Sequence, residues 1–174
     1  NLPVICDFRS TDIADGGQGT PIVPIGDKLL FTHFRFCLNI GGIANISCKT
    51  ASRIVAFDIC SANQILNMLA NRLGKEYDAN GAMAAAGKLH QPLLEALNGL
   101  HYYRQPYPKS LDNSYSREVV LPTLEEFSIS IEDKLRTYTE HIAAQVAAHI
   151  KMTAVHEKIE IGPADKILAT GGGA

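Results

Sequence analysis

The sequence has 174 residues, 46% apolar and 20% charged, with a formal net charge of -2. That is chain enough for one domain with a real core. The lack of any basic block argues against nucleic acid or an anionic membrane surface as partner. No apolar run reaches the roughly 18 residues a bilayer span needs. The N-terminus has neither an initiator Met nor a basic leader, and the sequence ends within a glycine run, so the chain is expected to be a piece of something larger. Cys6, Cys37, Cys48 and Cys60 form no CxxC pair and lie in or beside apolar runs, which fits buried thiols in a reducing cytosol.

Pro3 to Phe8 reads as a short strand leading into the charged segment Asp7-Phe8-Arg9-Ser10-Thr11-Asp12. That segment is either a solvated strand end or a carboxylate base steadied by Arg9, since a nearby cation favours the ionised form a base needs. The glycine-rich stretch around Gly16-Gly17-Gln18-Gly19 is loop. Residues 34–59 carry three apolar runs joined by short turns and are expected to form a three-stranded antiparallel meander. Asp58, at the end of the third run, is either a helix cap or a ligand-facing group.

Helices follow. Ser61 is the expected N-cap of the first, with Gln64 as capping-box partner, a stripe of Ile65, Leu66, Leu69 and Leu73, and Gly74 as stop. An Ala-rich helix ends at Gly87, and another starts near Pro92 and closes at Gly99. Residues 101–116, rich in Tyr and Pro, read as loop; Lys109 and Ser110 are there as loop or phosphate contact. The clearest helix begins at Ser130, with Leu135, Tyr138, Ile142, Val146 and Ile150 as its inner face and Ala143 and Ala147 extending it. His141 and His149, eight apart, are expected to be partly exposed. Ile167 to Thr170 then reads as a buried strand returning to an α/β half-domain.

Two glycine turns follow strands about 130 residues apart: Asn39-Ile40-Gly41-Gly42-Ile43-Ala44-Asn45 and Thr170-Gly171-Gly172-Gly173-Ala174. Such turns let backbone N–H groups approach an anionic ligand. The first is open to a second reading, a plain hairpin whose glycines serve positive φ; polar Asn39 and Asn45 beside it favour the ligand.

The segments Asp7-Phe8-Arg9-Ser10-Thr11-Asp12-Ile13-Ala14, Gly16-Gly17-Gln18-Gly19, Asn39 to Asn45 and Gly171-Gly172-Gly173-Ala174 stand in the order and wording of the anhydro-N-acetylmuramic acid kinases, which this chain resembles along essentially its whole length. Tyr77-Asp78-Ala79-Asn80-Gly81 and Pro108-Lys109-Ser110 resemble the family too. The resemblance implies an RNase H-like (actin-like ATPase) fold. Residues 1–33 would be the end of an N-terminal lobe and the crossover, and residues 34–174 most of an incomplete C-terminal lobe. It implies a cytoplasmic enzyme of cell-wall recycling that uses ATP and a divalent cation such as Mg2+ to open the 1,6-anhydro ring of an anhydro-amino-sugar and phosphorylate O6. Asp7 would be the base; Arg9, Asp12, Gln18 and Asp58 would face the sugar. Asn39, Gly41, Gly42 and Asn45 would hold phosphate, and Gly171, Gly172 and Gly173 adenosine. No metal ligand is named, and a homodimer stays open. The family's first phosphate loop is not in this sequence, so the chain alone is expected to be inactive, as a subdomain of such a kinase; another amino sugar is the other open substrate. The family's Asp-Thr-Gly-Pro-Gly-Asn stands here as Asp58-Ile59-Cys60-Ser61-Ala62-Asn63, without its glycines, and the Thr-Gly-Arg-Glu after Ser110 is replaced by Leu111-Asp112-Asn113 and a short insertion.

Overall fold

The computed structural model describes residues 7–16, 19 and 23–173. Strands β1 (Phe36–Ile40), β2 (Ile43–Lys49) and β3 (Ile54–Ser61) form the expected meander. The last strand, β4 (Ile167–Thr170), returns parallel to β1, which gives the order β3-β2-β1-β4. This mixed sheet with packed helices is consistent with an actin-like ATPase lobe.

Alternation sorts the meander's side chains. Phe36 and Leu38 of β1, Ala44, Ile46 and Cys48 of β2, and Val55 and Phe57 of β3 enter one core. A register shift near Ala44 and Asn45 inserts an extra residue into β3, and Cys60 joins the core beyond it. Helices α3 (Asn63–Asn71), α4 (Ala82–Ala86), α5 (Gln91–Asn98), α6 (Leu121–Glu125) and the long α7 (Ile131–His156) supply the other side of that core. They do so through Ile65, Leu69, Leu93, Leu97, Leu124, Leu135 and Tyr138, each fully buried. Gly87 lets α4 meet α7: a Cβ there would sit 2.0 Å from the Glu132 carbonyl oxygen. Toward the N-terminus, α2 (Pro24–Leu30) is anchored to the sheet where buried Asp27 accepts 2.6 Å from the Ser47 hydroxyl.

Six expectations need correction. The charged segment after Asp7 is helix α1 (Phe8–Ala14), because Asp7 accepts from the Ser10 hydroxyl and N–H and so caps a first turn; Pro3 to Cys6 lie outside the described residues. Ser61 does not cap α3. It is the last residue of β3, and its carbonyl and hydroxyl accept from Tyr138 and Ser116. The tyrosine-rich stretch is packed, with Tyr102 and Tyr103 buried in a 3-10 turn (His101–Arg104).

On α7 the buried stripe is centred on Tyr138, His141, Gln145 and His149, while Ala143 and Ala147 face solvent. Both histidines are buried because each ring nitrogen finds a partner, a pairing that periodicity does not reveal. Finally, β4 is exposed, since among the described residues it is an edge strand with β1 as its one neighbour.

Candidate active site

Because β4 runs parallel to β1, both strands end at the same end of the sheet, and the two glycine turns meet there. Thr170 pairs with Asn39, and Asn39 pairs on its other side with Asn45. The Gly173 N–H donates 3.1 Å to the Ile40 carbonyl. Residues about 130 apart in sequence thus form one surface of peptide groups, whose glycines 41, 42 and 171–173 are exposed or half-buried.

The glycines divide into two kinds. Gly171 has φ +98, and a Cβ on it would lie 2.5 Å from the Ile40 carbonyl oxygen. Gly173 has no room either, with Ile40 Cγ2 at 2.7 Å and Asn63 Oδ1 at 2.8 Å from the same position. The fold itself demands glycine at Gly171, where φ is positive and the clash is with backbone; at Gly173 the crowding atoms are the side-chain ends of Ile40 and Asn63. The fold does not demand it at Gly41, where the nearest atoms would be 3.5 Å away, nor at Gly172, where the nearest is 3.9 Å. Neither Gly41 nor Gly42 has positive φ, so the hairpin is not a type I′ or II′ turn and its glycines are not there for backbone handedness.

The carbonyls of this hairpin face the start of α3. Gly42 O accepts from Ala62 and Gln64, and Gly41 O from Asn63. The first N–H groups of α3 are therefore already bonded, and this helix end is not a free anion site. No hydrogen bond among the described residues is donated by the N–H of Gly41 or Gly42.

The other expected residues lie elsewhere. Asp7, exposed at the N-cap of α1, has a left-handed backbone (φ 58, ψ 44), uncommon for a residue other than glycine. Its carboxylate is steadied by Ser10; Arg9 is exposed and forms no ion pair among the described residues. Asp12 accepts 2.7 Å from the Gly19 N–H, which ties Gly19 to α1. Gln18 lies outside the described residues.

Asp58 is buried at 6% exposure. One oxygen accepts from the Leu111 N–H at 2.9 Å and the Ser110 hydroxyl at 3.0 Å, and its own N–H donates to the Lys109 carbonyl. It stitches residues 109–111 to β3. Sequence reasoning missed Asn63 and Gln64, which join the glycine turns to the rest; the only signal was Asn63 as the last residue of the altered family motif. No group of three His, Cys, Asp or Glu that could hold a metal occurs among the described residues.

The mixed four-stranded sheet with its packed helices is consistent with a lobe of the actin-like ATPase class. The family model for anhydro-N-acetylmuramic acid kinase matches residues 1–174, and the chain belongs to that family. It is 34% identical over 184 residues to the anhydro-N-acetylmuramic acid kinase of Photobacterium profundum, covering 100% of this chain and 48% of the relative. The kinase of the same name from Saccharophagus degradans is 36% identical over 99% of this chain and 47% of its own length, and that from Methylobacterium nodulans 34% over 99% and 45%. The chain spans about half the length of the curated relatives it matches.

Proposed function

We propose that the full-length protein carrying this chain is an ATP-dependent kinase that opens the 1,6-anhydro ring of anhydro-N-acetylmuramic acid and phosphorylates O6, a step of cell-wall recycling in the cytosol. The observation that carries this reading is the meeting of two glycine turns at one sheet end, where Gly41 and Gly172 are glycine without the fold requiring it. A backbone left bare where nothing internal needs the space fits a ligand that packs against it. The unused N–H groups of Gly41 and Gly42 would take phosphate oxygens, and Gly171 to Gly173 would lie against the adenosine.

Asp7 is the base in this reading. Its left-handed backbone is uncommon outside glycine, and such conformations cluster at active sites. Asp7 takes a proton from water as the water oxygen bonds to C1. The C1–O6 bond breaks, and O6 bonds to the γ-phosphorus of ATP as ADP departs. The products are the 6-phosphorylated open sugar, ADP and one proton. Such a displacement depends chiefly on in-line placement and charge stabilisation. A divalent cation bound with ATP would neutralise phosphate charge, and such a cation needs only one or two protein carboxylates. The free, buried thiols of Cys37, Cys48 and Cys60 fit a reducing compartment.

The test is Asp7→Asn in the full-length protein. A loss of roughly 10²–10⁴ in kcat is expected, with ATP affinity and melting temperature retained. In water enriched in oxygen-18 the label should enter the C1 hydroxyl and not the phosphate. Full activity in the variant would remove Asp7 from the mechanism.

A further inference from the structure

Asn63, the first residue of α3, reaches both glycine turns. Its N–H donates 3.1 Å to the Gly41 carbonyl. Its side-chain Nδ2 donates 3.2 Å to the Ile40 carbonyl, the same oxygen that accepts the Gly173 N–H at 3.1 Å. Its Oδ1 is turned toward Gly173, 2.8 Å from where a Cβ would stand there, and its Nδ2 is 3.9 Å from the equivalent point on Gly172. One planar amide is therefore wedged between the hairpin and the triple-glycine turn.

The amide has what this place needs. The Ile40 carbonyl sits where β1 ends, and both of its lone pairs are directed, one by each turn's partner. Removing the Asn63 side chain takes away the amide that packs beside Gly172 and Gly173, and leaves the triple-glycine turn held to this oxygen by the Gly173 N–H alone. The hairpin is held independently by the N–H groups of Ala62 and Gln64, so it would stay in place while the other turn loosens.

We propose that Asn63 is a positioning residue that sets the separation of the two glycine turns, and with it the fit of the nucleotide. This rests on the placement of nucleotide at those turns argued above. Asn63 itself is assigned no contact with the reacting atoms.

The experiment uses the full-length protein and three variants: Asn63→Ala, Asn63→Asp and Gly172→Ala. Titration calorimetry gives the Kd for ATP, steady-state kinetics the two KM values, and thermal melting the fold. Loss of one positioning hydrogen bond predicts a roughly five- to tenfold weaker Kd for ATP in Asn63→Ala. The sugar KM and the melting temperature should stay close to the wild type.

In Asn63→Asp the introduced carboxylate cannot donate to Ile40, but its protonated form can. The ratio of variant to wild-type Kd should therefore fall as pH is lowered from about 6 toward about 4, where the carboxyl protonates, whereas for Asn63→Ala it should stay flat. A purely structural role would not give that profile. If Gly172→Ala weakens ATP binding and Asn63→Ala does not, the positioning role is overturned and the nucleotide placement stands. If Asn63→Ala disturbs sugar KM and melting temperature together with ATP binding, the positioning role is also overturned. If Gly172→Ala leaves ATP binding untouched, the nucleotide placement fails and takes the positioning role with it.

Discussion

Lys109 Nζ lies 2.9 Å from His149 Nε2, both side chains being buried between β3 and α7. The His149 Nδ1 hydrogen is donated to the Gln145 carbonyl at 2.8 Å, which leaves Nε2 as the lone-pair acceptor for the lysine. The ammonium also donates to the Tyr102 carbonyl and stands 4.4 Å from the centre of the Tyr102 ring. Lys109, which the sequence reads as ordinary loop or phosphate contact, does lie outside any helix or strand, and its buried side chain ties the tyrosine-rich segment to the last helix.

Burial lowers the Lys109 pKa to about 8 from its usual 10.5. Between those values the unfolded chain keeps a proton that the folded chain has released, so this residue adds stability as pH rises through that window. The thiols oppose it. Burial raises Cys60 to about 12 and Cys48 to about 11 from 9.0, so above pH 9 the unfolded chain ionises first and stability falls. Lys109→Met removes the opposing contribution alone. Its melting temperature should fall more steeply than the wild type's between about pH 8 and 10; parallel curves would mean that the ammonium is not the titrating group.

Acid should act through His141. Its ring is fully buried, with Nδ1 donating 2.7 Å to Asn98 Oδ1 and Nε2 accepting 3.0 Å from the Tyr103 hydroxyl. Burial holds its pKa at about 3, and His149 is lowered by burial as well. Below pH 6.5 the unfolded chain therefore binds protons that the folded one refuses, and stability falls with pH. Glu157 and Asp165, held low by hydrogen bonds from Arg53 and Arg35, lose their contributions further into acid. Denaturation midpoints between about pH 6.5 and 5 should thus decline in the wild type and decline less in His141→Gln. An unchanged slope would assign the acid sensitivity elsewhere.

Asp58 separates a scaffold role from a sugar contact. Its buried carboxylate satisfies two donors from residues 110 and 111. Asp58→Ala leaves those groups without it and should cost about 2 kcal/mol in chemical denaturation, with Asp58→Asn costing less. In the full-length enzyme the scaffold role predicts a sugar KM that follows the stability loss and is restored in Asp58→Asn. A large rise in sugar KM at unchanged stability would restore the direct contact.

The meander and the presence of a returning fourth strand were legible because period-2 alternation and glycine punctuation are local signals. The meeting of the two glycine turns was legible as an idea, and the parallel register of β1 and β4 gives it a geometry. What was not legible depends on partners far apart in sequence. His141 reads as a surface residue until Asn98 and Tyr103 are placed beside it, and Lys109 until His149 is. Ser61 has every local mark of a helix cap. The bulge beside Asn45 instead carries it into β3, and the hairpin carbonyls take the helix N–H groups that it would have served.

Gly41 and Gly171 make the sharpest paired test, since one should matter to the ligand and the other to the fold. Gly171→Ala forces a side chain into φ +98 with its Cβ 2.5 Å from the Ile40 oxygen, so a cost of about 2–3 kcal/mol is expected, read as a lower denaturation midpoint. Gly41→Ala meets only Asn39 Nδ2 at 3.5 Å and the Ile43 carbonyl oxygen at 3.6 Å, both ordinary contacts, and its φ is not positive. Its stability should stay within about 0.5 kcal/mol of the wild type, as for a substitution away from any packed or strained feature. The new methyl would nonetheless stand at the surface where phosphate is proposed to lie, so ATP binding to the full-length protein should weaken by roughly tenfold or more. If Gly41→Ala keeps both its stability and its ATP affinity, the hairpin does not hold the phosphates, and the ligand-facing surface has to be sought away from β1 and β2.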